Sequence, residues 1–203
     1  MSASSIRKIL VIRLDRIGNM VITTPILRAL KEKWPDVKVT LLTNPVNKNI
    51  VINNPFIDDI LVYDREKDHK SLNSRIIFFR SIREKEFDLV IDPYLDYELK
   101  TSLITRFVGM KFRLGFEFAG RGIFYNIRYQ SNVFPVSTEK RHMVDYYLDL
   151  ATCLGIETEA RQPEVFLSTD EKKNAYKHLE EAGVNHESKM IGIHPGGNYQ
   201  SQR

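Results

Sequence analysis

The stretch RLDRIGNM (residues 13–20) could hold a ligand, because it follows the apolar run ILVI and precedes a long amphipathic segment. Gly18 would let the backbone approach a ligand closely, and the helix start beside it would direct unpaired N–H groups at a phosphate or a developing anion. Asp15, Arg16 and Asn19 supply polar side chains. The turn matches neither GxGxxG nor GxxxxGK[ST]. Its spacing leaves two interpretations open: a ligand site, or a helix cap made by Asp15 or Asn19.

The stretch HPGGNYQSQR (residues 194–203) is a second candidate. The backbone amides of Gly196 and Gly197 could hold a diphosphate, and Arg203 could pair with its charge. An ordinary two-glycine loop explains the same residues. His194 has no carboxylate partner nearby in the sequence, which favours a structural role for this histidine over a catalytic one.

Carboxylates follow a third apolar segment, in FDLVIDPYLDYE (residues 87–98). Asp92, Asp96 and Glu98 could accept hydrogen bonds from sugar hydroxyls, although Asp92 could equally cap the next helix. The histidines show no HExxH or comparable spacing, and the lone Cys153 excludes an internal disulfide and a cysteine-based zinc site. We therefore predict no metal site.

The composition is that of a folded globular protein, since 42% of the residues are hydrophobic and 28% are charged. No apolar run approaches the roughly 20 residues of a membrane span, and the first residues lack the apolar core of a secretory signal. We expect a cytoplasmic protein. Residues 1–143 hold 24 Lys and Arg against 16 Asp and Glu. This basic part indicates either an anionic partner or scattered solvated lysines.

Short apolar runs and helical patterns alternate along the chain and would position these candidate sites. The apolar runs predict buried strands at 8–14, 37–43, 58–64, 87–94 and 112–118. Helical spacing predicts helices at 20–34, 47–54, 71–86, 96–110 and 142–156. The third of these helices is apolar around most of its circumference, which favours burial over a membrane-facing role. The alternation predicts an α/β fold with a parallel sheet covered on both faces.

The pattern changes in the second half of the chain. It predicts a hairpin or an irregular excursion at 120–130, a helix at 169–183 with Thr169 as its cap, and a strand with its glycine turn at 189–198. This last element repeats the opening order of strand and polar glycine turn. We therefore predict one domain at 1–160 and, at 161–203, a linker followed by the start of a second domain.

The chain carries, in order, the segments RLDRIGNMVITTPILRALKEKWPDVKVTLLTN, NNPFIDDILVYD, FDLVIDPY and IGIHPGGN. With them it resembles the heptosyltransferase-type glycosyltransferases, whose founding members transfer heptose from ADP-heptose to the lipopolysaccharide inner core. The resemblance implies the N-terminal half of a two-domain GT-B enzyme, with a Rossmann-like, doubly wound, mostly parallel sheet. Residues 1–160 would bind the acceptor, and residues 161–203 would hold the linker and the truncated start of the donor-binding domain.

The same resemblance implies roles for the candidate residues. Family members usually carry Gly-Asp in the opening turn, with that aspartate as the base, whereas this chain has Asn19, whose amide cannot take up the proton. Asp15 is then the predicted catalytic base. The predicted acceptor-binding residues are Arg16, Gly18, Asn19 and Asp92. The predicted donor-binding residues are His194, Gly196, Gly197, Asn198, Gln202 and Arg203, of which Gln202 stands where relatives commonly have lysine.

The implied function is inverting transfer of a heptose-like sugar from a nucleotide diphosphate sugar to a hydroxyl of a cell-envelope glycan such as lipopolysaccharide core, without a cofactor. The alternative is a catalytically inactive relative that binds a glycan or a nucleotide sugar. We expect these 203 residues alone to be inactive, because most of the donor domain would be missing. The expected partners are the nucleotide sugar and a lipid-linked acceptor, and no nucleic acid. Any membrane contact is expected to be peripheral, on the inner face of the cytoplasmic membrane and with anionic lipid.

Overall fold

The computed structural model describes residues 6–95, 97–130, 141–184 and 189–193. The strands are β1 (Lys8–Arg13), β2 (Lys38–Thr43), β3 (Asp59–Val62), β4 (Leu89–Asp92), β5 (Phe112–Phe116) and β6 (Ile127–Tyr129). The helices are α1 (Ile17–Val21), α2 (Thr24–Lys33), α3 (Pro45–Val51), α4 (Leu72–Arg83), α5 (Lys100–Val108), α6 (Met143–Thr152) and α7 (Thr169–Glu181). A 3₁₀ turn at Arg121–Phe124 precedes β6.

The strands form one six-stranded sheet in the order β3-β2-β1-β4-β5-β6, and each pair of neighbours is parallel. Val11 of β1 pairs with Leu41 of β2 on one side and with Ile91 of β4 on the other. This is the strand order of a Rossmann-like doubly wound fold, so the predicted fold class is confirmed. The order reverses between β1 and β4, and in such sheets ligands bind beyond the carboxyl ends of the strands at that point.

The sheet is buried on both faces because successive side chains of each strand point into different apolar clusters. Ile9 and Val11 of β1 belong to the cluster that α2 and α6 cover. Leu10 and Ile12 belong to the cluster that α4 and α5 cover, where Ile82 is the buried residue of α4. The sheet is therefore a rigid base for the loops at its carboxyl edge.

The predicted first helix is divided into α1 and α2 at the pair Ile22 and Thr23. Pro25 stands in the first turn of α2, where its missing N–H and fixed φ angle are tolerated, but it would interrupt a helix continuing from α1. Thr23 Oγ1 donates to the carbonyl oxygen of Asn19, and Thr24 Oγ1 donates to that of Val21. These hydroxyls satisfy carbonyl groups that the broken helix leaves without backbone donors.

The residues predicted as a hairpin or an irregular excursion form the 3₁₀ turn and the sixth strand. Strand β6 runs parallel to β5, with Leu114 paired to Ile127. The prediction of a hairpin is therefore wrong. Gly120 begins the reversal with φ 79°, a conformation that glycine adopts without strain, and the 3₁₀ turn then carries the chain back across the sheet edge. The strand has three residues, which is too short to show an alternating pattern in the sequence.

The chain divides into two compact units, Met1–Phe166 and Leu167–Arg203. The division falls after the predicted boundary at residue 160 because the intervening residues pack on the first unit. Glu164 forms an ion pair with Arg28, and the ring of Phe166 lies edge-on to that of Phe56 with centroids 5.9 Å apart.

In the second unit, helix α7 begins one residue earlier than predicted. Ser168, and not Thr169, is the N-cap: its hydroxyl accepts from the N–H of Glu171, whose carboxylate accepts from the N–H of Ser168. The described part of the last predicted strand, residues 189–193, adopts no regular secondary structure. A strand needs a neighbouring strand to pair with, and the described part of this unit contains a helix, α7, but no other strand.

We expect Gly115→Ala to destabilise the first unit. A Cβ at this position of β5 would lie 2.4 Å from Cζ of Tyr125, a ring that is buried and hydrogen-bonded through its hydroxyl. Overpacking of this kind lowers the free energy of unfolding by about 1–3 kcal/mol. Urea denaturation would measure it, with Gly18→Ala as the matched control, because a Cβ at Gly18 meets nothing within 4 Å. Equal stability of the two variants would contradict this packing.

Candidate functional site

A buried arginine organises the carboxyl edge of β1. Arg13 is only 1% exposed, and its guanidinium donates to the carbonyl oxygens of Asn19 (3.2 Å) and Pro93 (3.0 Å) and to the hydroxyl of Tyr147. Its Cζ also lies 4.7 Å from the ring centroid of Tyr147. These contacts tie β1 to the first turn, to the loop after β4 and to α6. Arg13 was not singled out in the sequence analysis. An arginine directly after the apolar run ILVI could have indicated it.

Asp15 lies next to this arginine and is held by hydrogen bonds to its Oδ2 and to its backbone carbonyl oxygen. Asn19 Nδ2 donates to its Oδ2 at 2.6 Å, and the side-chain amides of Asn44 and Asn47 donate to its carbonyl oxygen at 2.8 and 2.9 Å. Oδ1 lies 3.1 Å from Nε of Arg13 but accepts no hydrogen bond, because that N–H is directed at the carbonyl oxygen of Asn19. The carboxylate is thus fixed in place, and its unpartnered oxygen, Oδ1, is buried.

The surroundings of Asp15 make its carboxylate more basic than a solvated one. Burial raises the pKa of Asp15, the Arg13 cation and the Asn19 amide oppose this, and the charge of Asp92 adds to the rise. The side chain is 13% exposed, and because Oδ1 is buried, an outside hydroxyl would have to approach from the side of Oδ2. A reachable carboxylate with a raised pKa is what general-base catalysis near neutral pH requires.

The helix-cap interpretation of the turn is wrong. The N-cap of α1 is Arg16, and no side chain caps that end of the helix. Asn19 lies inside α1, and its amide nitrogen donates to Asp15. Arg16 and Gly18 are both exposed at the surface of the turn, and the space beside the α-carbon of Gly18 is open. Room for a close backbone approach is therefore present at the predicted position.

The structure corrects the prediction that Asp92 binds the acceptor. Its side chain is fully buried at the end of β4, where Oδ2 accepts from Nη2 of Arg121 at 2.8 Å and from the hydroxyl of Tyr125 at 2.7 Å. Nor does it cap the next helix, because α5 has Leu99 as its N-cap without a side-chain bond. Asp92 neutralises a buried arginine, and a glycan would have to displace that arginine to reach it.

A basic cavity of about 400 Å³ adjoins the turn and was not predicted. It is lined by Leu14, Asn44, Pro45 and Val46, by Lys100, and by residues 63–67 of the loop after β3. Arg65, Lys67 and Lys100 are its cations. Its two acids are Asp64 and Glu66. Oδ1 of Asp64 already accepts from the backbone N–H groups of Glu66 and Lys67.

The electrostatics of this cavity favour an anion. Burial lowers the pKa of Lys100, the nearby cations Arg65 and Arg75 lower it further, and Glu98 opposes them. An anionic group bound here would relieve the crowding of positive charge. In the sequence the segment DREKD (residues 64–68) shows only mixed charge. The fold is needed to show that Arg65 and Lys67 line the same cavity as Lys100.

The predicted donor-binding residues lie outside the described part of the chain: His194, Gly196, Gly197, Asn198, Gln202 and Arg203. Asp96, a further candidate carboxylate, also lies outside it. Among the described residues, no group of His, Cys, Asp and Glu is arranged to hold a metal ion. No helix among them is both long and apolar enough to cross a membrane.

Comparisons with known proteins agree on a family. The model of glycosyltransferase family 9 (heptosyltransferase) matches residues 75–203. Lipopolysaccharide heptosyltransferase 3 of Escherichia coli is 21% identical over 169 residues, which are 82% of this chain and 48% of that protein. The chain therefore spans about half the length of this curated relative.

Solved structures agree on the fold. A glycosyl transferase family 9 protein from Veillonella parvula superposes with a TM-score of 0.80 at 20% identity, over 96% of this chain and 55% of the other. The ADP-heptose lps heptosyltransferase II of E. coli superposes with a TM-score of 0.68 at 21% identity, over 94% and 55%. At such identities these likenesses establish the doubly wound architecture.

We expect Asn19→Asp to destabilise the fold in a pH-dependent way. The substitution replaces the donor to Asp15 Oδ2, now 2.6 Å away, with a second carboxylate, and two carboxylates at that distance share a proton. The pKa of the pair is then raised in the folded state, so stability is retained at acid pH and lost as the pH rises through that pKa.

Urea denaturation at about pH 4.5 and pH 8 would measure this effect, and a deficit of about 1–3 kcal/mol is expected at the higher pH. Asn19→Ala is the control, because it removes the donor without adding a charge. A deficit in Asn19→Asp that does not change with pH would contradict the placement of these two side chains.

Proposed function

Because this chain belongs to glycosyltransferase family 9, the heptosyltransferase family, we propose that it is the acceptor-binding half of an inverting glycosyltransferase. The substrate class is a nucleotide diphosphate sugar with a heptose-like sugar, and the acceptor is a hydroxyl of a cell-envelope glycan such as lipopolysaccharide core. The observation that carries the proposal is Asp15: a fixed, partly exposed carboxylate of raised pKa at the strand-order reversal.

The proposed reaction is a direct displacement at the anomeric carbon. The acceptor hydroxyl attacks that carbon, its proton passes to a carboxylate oxygen of Asp15, and the bond to the diphosphate breaks as the new glycosidic bond forms. Asn19 holds Asp15 through its amide and, with Arg16 and Gly18, lines the surface on which the acceptor would lie. The nucleotide diphosphate leaves with the bonding electrons, so it needs positive groups to stabilise it.

Residues of the second unit would bind that leaving group. Gly196 and Gly197 would offer backbone N–H groups, and Arg203 would offer a cation. His194, Asn198 and Gln202 complete the proposed donor-binding set. Gln202 contributes no charge where relatives commonly have lysine, so Arg203 would carry more of the stabilisation.

The basic cavity indicates the kind of acceptor. Arg65, Lys67 and Lys100 lie beside the turn that holds Asp15, where they would pair with phosphate or carboxylate groups of the glycan. An acidic, lipid-linked glycan fits this charge, which favours work at the inner face of the cytoplasmic membrane. The proposed nucleotide-sugar partner is consistent with the cytoplasm as the site of action.

A second candidate is a relative that binds without transfer. It is favoured by Asn19, which replaces the usual aspartate of the family's turn, and by Gln202. The two candidates separate on donor turnover: the transferase consumes nucleotide sugar in the presence of acceptor with Asn19 in place, and the binding relative does so only after Asn19→Asp, if at all.

We expect Asp15→Asn to lower kcat by about 10²–10⁴-fold with a much smaller change in KM, because the amide keeps the shape but cannot take the proton. The assay needs this chain joined to a complete donor-binding half and measures nucleotide diphosphate release. Asp36→Asn, an exposed position after α2, is the control. Transfer by Asp15→Asn at more than about half the starting rate would remove Asp15 as the base.

The pH profile provides an independent test of the same role. Since burial raises the pKa of Asp15, the acid limb of kcat is expected above the ordinary value of about 4, with activity lost as the pH falls through it. Arg13→Lys, which weakens the ion pair beside Asp15, should move that limb further up. An acid limb at the ordinary value in both proteins would assign the proton transfer to another group.

A further inference from the structure

The outer surface of helices α4 and α5 is apolar and exposed. The exposed fractions are 71% for Leu72, 48% for Ile76, 55% for Leu103 and 44% for Phe107. These side chains line an open groove of about 700 Å³ between the two helices, which we call the α4–α5 groove. Helix α4 meets the core through Ile82, Phe78 and Phe79, and none of the four exposed residues above belongs to a core cluster. Such a patch marks an interaction site.

Cations border one side of the groove. Arg65, Arg75 and Lys100 line it together with the apolar residues. Arg75 is held in place by the carbonyl oxygens of His69 and Lys70, at 2.8 and 2.9 Å. Within the described part of the chain, no carboxylate oxygen lies within 4.0 Å of the charged nitrogens of these three residues. An apolar trough with cations at its rim that form no close ion pair among the described residues complements an amphiphile with an anionic head.

A second copy of the chain fits this surface less well. A two-fold contact through the groove would bring each rim cation close to the same cations of the partner, and like charges brought together oppose association. An anionic lipid surface meets both features at once, because phosphates lie directly above an apolar layer.

We infer that the α4–α5 groove docks the protein on an anionic bilayer, with Leu72, Ile76, Leu103 and Phe107 entering the boundary between headgroups and acyl chains while Arg65, Arg75 and Lys100 pair with lipid phosphates. The groove shares Tyr63, Arg65 and Lys100 with the basic cavity beside the opening turn. Docking would therefore bring the mouth of that cavity to the level of the headgroups. The inference rests on this surface and stands whether or not Asp15 is a base.

Vesicle sedimentation of the whole chain tests the proposal, with vesicles of phosphatidylglycerol and phosphatidylcholine and with phosphatidylcholine alone. We expect binding to the anionic vesicles that weakens as salt is raised, and little binding to the neutral ones. Ile76→Gln and Leu103→Gln should each weaken the binding about tenfold, since each removes a side chain that becomes buried in lipid. Circular dichroism would check that the variants are folded, as expected because both side chains are exposed.

Matched controls separate docking from general attraction of a basic protein. Ile123→Gln changes an apolar side chain that is 81% exposed but lies outside the groove, and it should bind as the unaltered chain does. Lys100→Gln should weaken binding about fivefold, whereas Lys33→Gln, an exposed lysine at the end of α2, should weaken it less.

Three outcomes would overturn the inference. The first is no binding to anionic vesicles at low salt. The second is binding that Ile76→Gln and Leu103→Gln leave unchanged, which would mean unspecific charge attraction. The third is a concentration-dependent dimer in analytical ultracentrifugation that the same two variants abolish, which would assign the groove to a second copy. None of these outcomes bears on the transfer assay, so failure here is distinct from failure of the proposed function.

Discussion

A buried guanidinium at the end of β1 determines the geometry of the candidate site. Arg13 is withdrawn from water, so its donors must be satisfied by groups that the fold brings to it, and these are two loop carbonyl oxygens and the hydroxyl of Tyr147. The carboxylate of Asp15, with Oδ1 3.1 Å from Nε, balances its charge. Breaking such a buried pair by removing one partner typically costs about 3–5 kcal/mol. The first turn is therefore held in one conformation by the same contacts that close the carboxyl edge of the sheet. Asp15 therefore lies where its negative charge neutralises the buried Arg13 cation.

A second buried arginine, Arg121, is neutralised in the same region. Comparing its ion pair with that of Arg13 shows which of the two carboxylates is exposed. Its partner Asp92 is fully buried, whereas the side chain of Asp15 is 13% exposed. Both guanidinium groups lie near the ring of Tyr94, with Cζ at 5.9 Å for Arg13 and 5.2 Å for Arg121. The two ion pairs thus form one network with an inner and an outer carboxylate. The inner pair supports the loop after β4, and the outer pair leaves a carboxylate that is partly exposed.

The elements of the first unit could be predicted from sequence because local patterns dictate them. Short apolar runs mark five of the strands, and Ser71, a residue type common at helix starts, caps α4. The fate of Asp92 could not be predicted, since its partner Arg121 lies 29 positions away and only the fold joins them. Arg13 meets Tyr147 across a separation of 134 positions for the same reason. The basic cavity is similarly assembled from residues that follow β1, β2 and β3 and from the start of α5, and no single segment indicates it.

The amide at position 19 has a physical explanation within this network. The resemblance to the family implies an aspartate there as the base, and its loss would suggest lost activity. In this chain, however, a carboxylate stands one helical turn earlier, and Asn19 donates to it at 2.6 Å. Two carboxylates at that separation could not both be ionised, so a base at Asp15 requires a neutral donor as its neighbour. The pair is therefore consistent with a base that has moved within the turn, and on this ground we favour transfer over a relative that only binds.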